Sequence, residues 1–171
     1  TPMAPFLVAP IETSFEMQLA EAKAKHPPNP EHGVTSLHVA ALNDDLSSVD
    51  ILLRSGEFSV TETCHHGGTA LTYAAWNTNN PGLVDLLLQH PCGSEALNAP
   101  DNDGFTPLIC AAHGNNLGVV SALLAHEDID AFAKEYNYGD TALDKAVGAQ
   151  HEDCERLLRE YLERNLPLPS L

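Results

Sequence analysis

Apolar residues recur along this chain at i, i+3 and i+4, the spacing of one face of a short helix. Leu108, Ala111 and Ala112 make one such stripe, and Leu117, Val120, Leu123 and Leu124 make a second just beyond it. The spacing predicts helices over 107–113 and 117–125. The same paired pattern predicts helices near 36–43 and 47–54, near 70–77 and 82–90, and near 142–149 and 152–164. An earlier stripe of Phe15, Leu19 and Ala22 predicts a separate helix ending at about Lys25, and Thr13-Ser14-Phe15-Glu16 ahead of it has capping-box form. His26-Pro27-Pro28-Asn29-Pro30 then ends that helix.

Each helix pair is introduced by one motif. It reads G-V-T-S-L-H-V-A-A from Gly33, G-G-T-A-L-T-Y-A-A from Gly67, G-F-T-P-L-I-C-A-A from Gly104 and G-D-T-A-L-D-K-A-V from Gly139. The glycines are 34, 37 and 35 residues apart. A Leu pair follows each motif: Leu52-Leu53, Leu87-Leu88, Leu123-Leu124 and Leu157-Leu158. Gly turns the chain tightly, Thr106 N-caps the helix, and Pro107 suits its first position, where a missing N–H costs nothing. One such unit cannot bury its own apolar faces, so successive units stack into a solenoid.

The motif resembles the ankyrin repeat, whose signature T-P-L-H-x-A recurs at a period of about 33 residues. The resemblance covers residues 31–162 and implies an all-α solenoid of β-turn and helix–turn–helix units. Only Thr106-Pro107 keeps the Pro, and the His occurs only as His38, with Thr72, Ile109 and Asp144 in its place. Asp44, Thr78, Asn115 and Gln150 stand where the family carries Gly between its two helices. Asp and Asn tolerate the left-handed conformation there; Thr and Gln do so less well. Repeat two has an extra residue near Asn79-Asn80-Pro81 and a long connector from Gln89 to Asp103.

The expected organisation is an extended Pro-containing arm (1–12), an N-terminal capping helix and linker (13–30), a repeat domain (31–165) and a Pro-rich tail (166–171). The repeats run near 33–66, 67–103, 104–138 and 139–165. The last helix alternates charge along its outer side, as a terminal cap needs for solubility.

Charge narrows the partners. Net charge is −16, and residues 31–149 hold three basic side chains (Arg54, Lys134, Lys145) against sixteen acidic ones. Nucleic acid and anionic membrane surfaces are therefore not expected as ligands. A basic partner would be drawn in. Cys64, Cys92, Cys110 and Cys154 fall in different repeats without C-x-x-C spacing, so free thiols and an intracellular place, cytoplasmic or nuclear, are expected. Cys110 and Cys154 read as small core residues. No run reaches the ~18 apolar residues of a membrane span. The chain begins at Thr1 rather than Met, which is consistent with a piece of something longer.

The resemblance implies a concave face lined by residues flanking the turn Gly and by those just after the A-A pair. Carried onto this sequence, those rows supply the candidate partner-binding residues: Glu31, His32, Leu42, His65, His66, Trp76, Asn77, Asp103, Phe105, His113, Tyr138 and Asp140. Rigid aromatics are enriched at interface hot spots, and the single Trp falls here. The plainer alternative is that Trp76 and Phe105 pack on neighbouring repeats and Tyr138 caps a turn. His32, Cys64, His65 and His66 bring zinc-ligating types to adjacent turn tips, but without a family spacing, and His65 and His66 are neighbours that point apart. No metal or other cofactor is expected. His38 reads as a structural hydrogen-bonder at a helix start.

No G-x-S-x-G, phosphate-cradling Gly loop or H-E-x-x-H is present. Asp101 and Asp103 lie in a turn, where Asp bonds its own backbone. The chain is thus read as a non-catalytic protein–protein interaction module, an adaptor, inhibitor or targeting subunit. It is expected to be monomeric on its own and to hold a basic or amphipathic partner segment in its concave groove. The alternatives are a targeting fragment of a larger multidomain enzyme and a His-rich metal- or pH-responsive binding protein.

Overall fold

Thr35, Thr69, Thr106 and Thr141 stand in extended backbone and end the turn ahead of a helix. They start α2 (Ser36–Leu42), α4 (Ala70–Asn77), α7 (Pro107–His113) and α9 (Ala142–Gly148). The residue three further on closes the cap. Thr35 N–H donates to His38 Nδ1, Thr69 N–H to Thr72 Oγ1 and Thr141 N–H to Asp144 Oδ2. Three different side chains thus perform one task, the reciprocal half of a capping box. Ile109 cannot, and in that copy Pro107 preorganises the first turn instead.

The second helix of each pair is α3 (Leu46–Arg54), α5 (Pro81–Leu88), α8 (Leu117–Leu124) and α10 (Glu152–Asn165). The turn into it passes through left-handed backbone at Asp44 (φ 57°), Asn115 (57°) and Gln150 (60°). Gln150 adopts it despite its Cβ. Thr78 does not (φ −117°), because α4 runs one residue longer than α2 and absorbs the insertion of repeat two. The long connector also folds locally, into α6 (Gly93–Leu97), which buries Ala96 and Leu97. Sequence periodicity missed this helix: five residues are too few to show a period.

The computed structural model describes residues 14–165. Among them are ten α-helices, a one-turn 3-10 helix at Pro30–His32 and no strand beyond an isolated bridge between Asn29 and Val34. The expected arm (1–12) and tail (166–171) lie outside the described residues. The first helices stack in one layer, α2 on α4 on α7 on α9, and the second helices in another, α3, α5, α8 and α10. This is an all-α solenoid. Ala40, Ala41, Ala74, Ala75, Ala111 and Ala112 are fully buried between the layers and let the helices approach closely, while Leu37, Leu52, Leu71, Leu87, Leu108 and Leu123 fill the space. Cys110 and Cys154 are core residues, as their positions predicted, and all four thiols are free.

The solenoid is closed at its start by α1 (Phe15–Lys25), which packs on α3. Its N-cap is Ser14, whose hydroxyl accepts Met17 N–H, one position beyond the start the capping-box pattern suggested. Lys25 and His26, at its other end, both reach Asp45. At the far end, Cys154 and Leu158 bury one side of α10, while Arg156–Asp153, Arg159–Glu155 and Arg164–Glu160 pair on its outer side.

Candidate functional site: the face of turn tips and inner helix ends

Between repeats the chain makes hairpin-like turns, and these turns stack. Each is closed by a backbone bond: Asn29 N–H to Val34 O, Cys64 N–H to Gly68 O, Asp101 N–H to Phe105 O and Glu135 N–H to Asp140 O. Each turn then bonds to the next, His65 N–H to His32 O (2.8 Å), Asn102 N–H to His66 O (2.9 Å) and Tyr136 N–H to Asp103 O (2.8 Å). Such close approach needs glycine at the tip. A Cβ on Gly104 (φ 86°) would lie 2.7 Å from the Tyr136 ring.

The side chain heading a turn organises it. Asp101 Oδ1 accepts Asp103 N–H (3.0 Å) and Phe105 N–H (2.8 Å), the local bonding expected of Asp in a turn. Glu135 holds the corresponding place one repeat later. Its oxygens accept N–H bonds from Asn137 (2.7 Å), Tyr138 (2.8 Å) and Asp140 (3.3 Å). Burial pushes the Glu135 carboxyl up, but these three N–H groups and the Lys145 ammonium outweigh burial and hold it below the usual range. It is therefore an ionised, almost completely buried anchor of the last turn.

These turns and the ends of the first helices bring the aromatics together. Trp76, at the end of α4, is 47% exposed. Its ring lies 5.1 Å from that of His113, on α7, and 6.3 Å from that of Phe105, edge-on. Lys145, on α9, continues the row: its Nζ lies 5.3 Å from the Phe105 centroid and 5.7 Å from that of Tyr138. The run Trp76–His113–Phe105–Lys145–Tyr138 thus crosses three repeats. Tyr138 is 84% exposed, so its ring is presented rather than packed.

The other candidates fall into two groups. Glu31 and His32 are exposed on the 3-10 helix, and His32 stacks on His66 with centroids 6.1 Å apart. Asp103 is exposed, and Leu42 is half-buried below Trp76. The remaining three carry structural duties. The Asn77 amide donates to Leu42 O (3.0 Å), tying α4 to α2. The His65 ring lies over Gly33, where a Cβ would come within 2.6 Å of it. Asp140, the last of the candidates, is paired with Lys145 at 2.9 Å. Cys64 does not sit at a turn tip, as the sequence suggested. It is buried, and Tyr73 Oη donates to its sulfur at 3.5 Å. Among the described residues no three His, Cys, Asp or Glu side chains converge as a metal ligand set. His38 is fully buried at the start of α2, its Nε2 between the carbonyls of Glu62 (3.1 Å) and Gly68 (3.2 Å), as a structural hydrogen-bonder should be.

Sequence reasoning missed Lys145 and Glu135. Lys145 had a signal: it is a lone cation at the place held by Val39, Tyr73 and Cys110 in the other copies. Glu135 had a weaker one, an acid shortly before a turn Gly, as Asp101 is before Gly104.

Stacked helix pairs that present an aromatic, acid-rimmed face define a repeat-type protein-interaction module. The family model for ankyrin repeats matches residues 12–96 and 78–166, nearly the whole chain. The protein belongs to the ankyrin-repeat family. It is similar to the nuclear factor NF-kappa-B p105 subunit of Gallus gallus, 29% identical over 113 residues, which is 66% of this chain and 11% of that protein. It is also similar to two Mus musculus proteins. The RelA-associated inhibitor is 34% identical over 96 residues (55% of this chain, 11% of that protein), and the B-cell lymphoma 3 protein homolog 33% over 120 residues (68% and 26%). The chain spans between about a tenth and about a quarter of the length of these relatives. No helix among the described residues is long and apolar enough to cross a membrane.

Proposed function

We propose that this protein regulates a partner protein by holding one of its segments, basic and apolar in character, along the face of turn tips and inner helix ends. The observation that carries this reading is the exposure of Trp76 at the head of a row of side chains, three further rings and Lys145, that crosses three repeats. A solvent-facing Trp costs solubility and does nothing for a merely structural repeat, whereas at an interface it supplies a large rigid contact. Glu31 and Asp103 flank the row and favour a cationic segment. Tyr138 extends the contact, while Asn77, His65 and Asp140 support the face rather than touch the ligand.

Among adaptor, inhibitor and targeting subunit, the similarity to a protein named as an inhibitor, the RelA-associated inhibitor, favours an inhibitor. That reading places the protein in the cytoplasm or nucleus and makes it non-catalytic. Affinity capture with the wild-type protein and with a Trp76→Ala variant, confirmed folded by circular dichroism, tests it. A partner retained by the wild type and lost by the variant supports the face as the site. Equal retention by both moves the site to another surface.

A further inference from the structure

The four repeats differ at one position that shapes the candidate face. The residue after the turn glycine is Val34, Gly68, Phe105 and Asp140 in successive copies. Only the second copy has no side chain there, and a hole opens at that place. A cleft of about 220 Å³ lies there, with Gly68 and Asp101 among its lining residues. Its walls are the Tyr73 and Trp76 rings from α4, the end of α2 at Leu42 and the buried thiols of Cys64 and Cys110. That volume is below the roughly 300–1,000 Å³ of pockets that take a drug-sized ligand, and it suits one amino-acid side chain.

The rim has a sign. Asp101 Oδ1 is occupied by two backbone N–H groups, and Oδ2 accepts no hydrogen bond among the described residues. No Lys or Arg lines the cleft. Lys145 is committed to Asp140, and Arg54 to Asp50. A carboxylate at the mouth of an apolar hole is complementary to an apolar side chain with a cation beside it in sequence.

We propose that this cleft is an anchor pocket, seating one Leu, Met or Phe side chain of the partner segment while Asp101 pairs with a Lys or Arg within a residue or two of that anchor. This deepens the partner-segment reading above and rests on it. The missing side chain at Gly68 is the specificity-determining feature. The pocket selects a short linear sequence, and the aromatic row beyond it contributes contact area.

The test is a displayed library of random short peptides selected on the whole chain, followed by affinity measurements on purified variants. Gly68→Val restores the side chain found in repeat one. The backbone of Gly68 is not left-handed, and a Cβ there would lie 3.3 Å from the edge of the Tyr73 ring, which must give by a few tenths of an ångström; circular dichroism checks that the variant folds. Asp101→Asn keeps the oxygen that organises the turn and removes the charge. The expected peptides pair an apolar residue with a nearby Lys or Arg. Gly68→Val should weaken them by roughly tenfold or more. Asp101→Asn should weaken them about threefold to fivefold, and should have no effect on a peptide whose cation is replaced by Gln. If Trp76→Ala abolishes binding while Gly68→Val and Asp101→Asn leave it unchanged, the face is right and the anchor pocket is wrong. If peptides bind all variants alike, both readings fall. A library that yields no binder also overturns the anchor pocket, since one apolar side chain beside one cation lies within reach of any short peptide, and leaves the face to a folded partner.

Discussion

The Trp76 and His113 rings lie 5.1 Å apart at a tilt of 35°, where the end of one repeat's first helix meets the end of the next. The contact is possible because Gly114 follows His113: a Cβ there would lie 2.8 Å from the Trp76 carbonyl. Asn116 then donates to both Ala75 O (2.8 Å) and Trp76 O (3.0 Å). The backbone beneath Trp76 is fixed from the neighbouring repeat while its ring stays open to solvent, which is the preorganised state that binding rewards.

Trp76 and Phe105 should therefore separate in their effects. Trp76→Ala removes an exposed ring and should cost about 1 kcal/mol or less. Phe105 is half-buried and packs on the core, and Phe105→Ala should cost on the order of 2–3 kcal/mol. Urea titration of the two single variants measures this. A larger loss for Trp76→Ala would mean that its ring is structural.

His38 should make stability depend on pH. Burial lowers its pKa, and hydrogen bonding to the Gly68 and Glu62 carbonyls offsets this only in part. The folded protein thus favours the neutral ring, and the unfolded chain binds the extra proton first. The stability this contributes is complete above the unfolded pKa of about 6.5 and is lost as pH falls below it toward the folded value. His38→Thr, the residue found in repeat two, should lower stability by about 1–3 kcal/mol at pH 7.5 through the lost bonds. The gap from wild type should narrow by pH 5.5. Melting curves at both pH values decide it, and a gap that widens on acidification contradicts the assignment.

Asp45 joins α1 to α3. It N-caps α3 through Ser48 N–H and accepts from Ser47, His26 and Lys25 at the end of α1. Burial raises its carboxyl pKa, but the Lys25, Ser47, His26 and Ser48 donors reverse this and hold it far below the carboxylate range. Its contribution is present above the unfolded pKa of about 3.9 and is lost as pH falls through the folded value. Asp45→Ala should cost on the order of 2 kcal/mol and loosen α1 first. Proteolysis would show early cleavage near α1 in the variant; unchanged protection would exclude Asp45 as the clasp.

The thiols should differ in reactivity. Burial, with Asp101 nearby, pushes Cys110 up to about 12, and burial also raises Cys154. The thiolate is the reactive form, so both should resist an aromatic disulfide reagent until the chain unfolds. Cys92 is partly exposed and should react first. Mass spectrometry of the labelled peptides reads the order, and early labelling of Cys110 would contradict it.

Glu135 should hold the last turn. Glu135→Ala removes the acceptor for three backbone N–H groups and the second acid beside Lys145. Amide exchange should accelerate at Asn137, Tyr138 and Asp140 and stay unchanged at α4. Uniform acceleration would point to global destabilisation instead.

Apart from α6, the helices, their order and the stacking they require were legible in the chain, because they rest on short-range physics. The Thr caps act over three residues, the Leu and Ala stripes over one turn, and the left-handed turns at Asp44 and Asn115 over one residue. Even so, the capping role shared by His38, Thr72 and Asp144 looked like divergence in sequence, since chemistry rather than identity repeats there. The face is another matter. Cys64 turns inward to Tyr73, Lys145 slides beneath Phe105, and Trp76 meets His113 because stacking brings successive repeats to van der Waals distance. Neither periodicity nor propensity encodes the neighbour a side chain will meet a full repeat away. The cleft at Gly68 is the clearest case: one absent side chain is visible in the sequence, but a hole exists only where other repeats supply its walls.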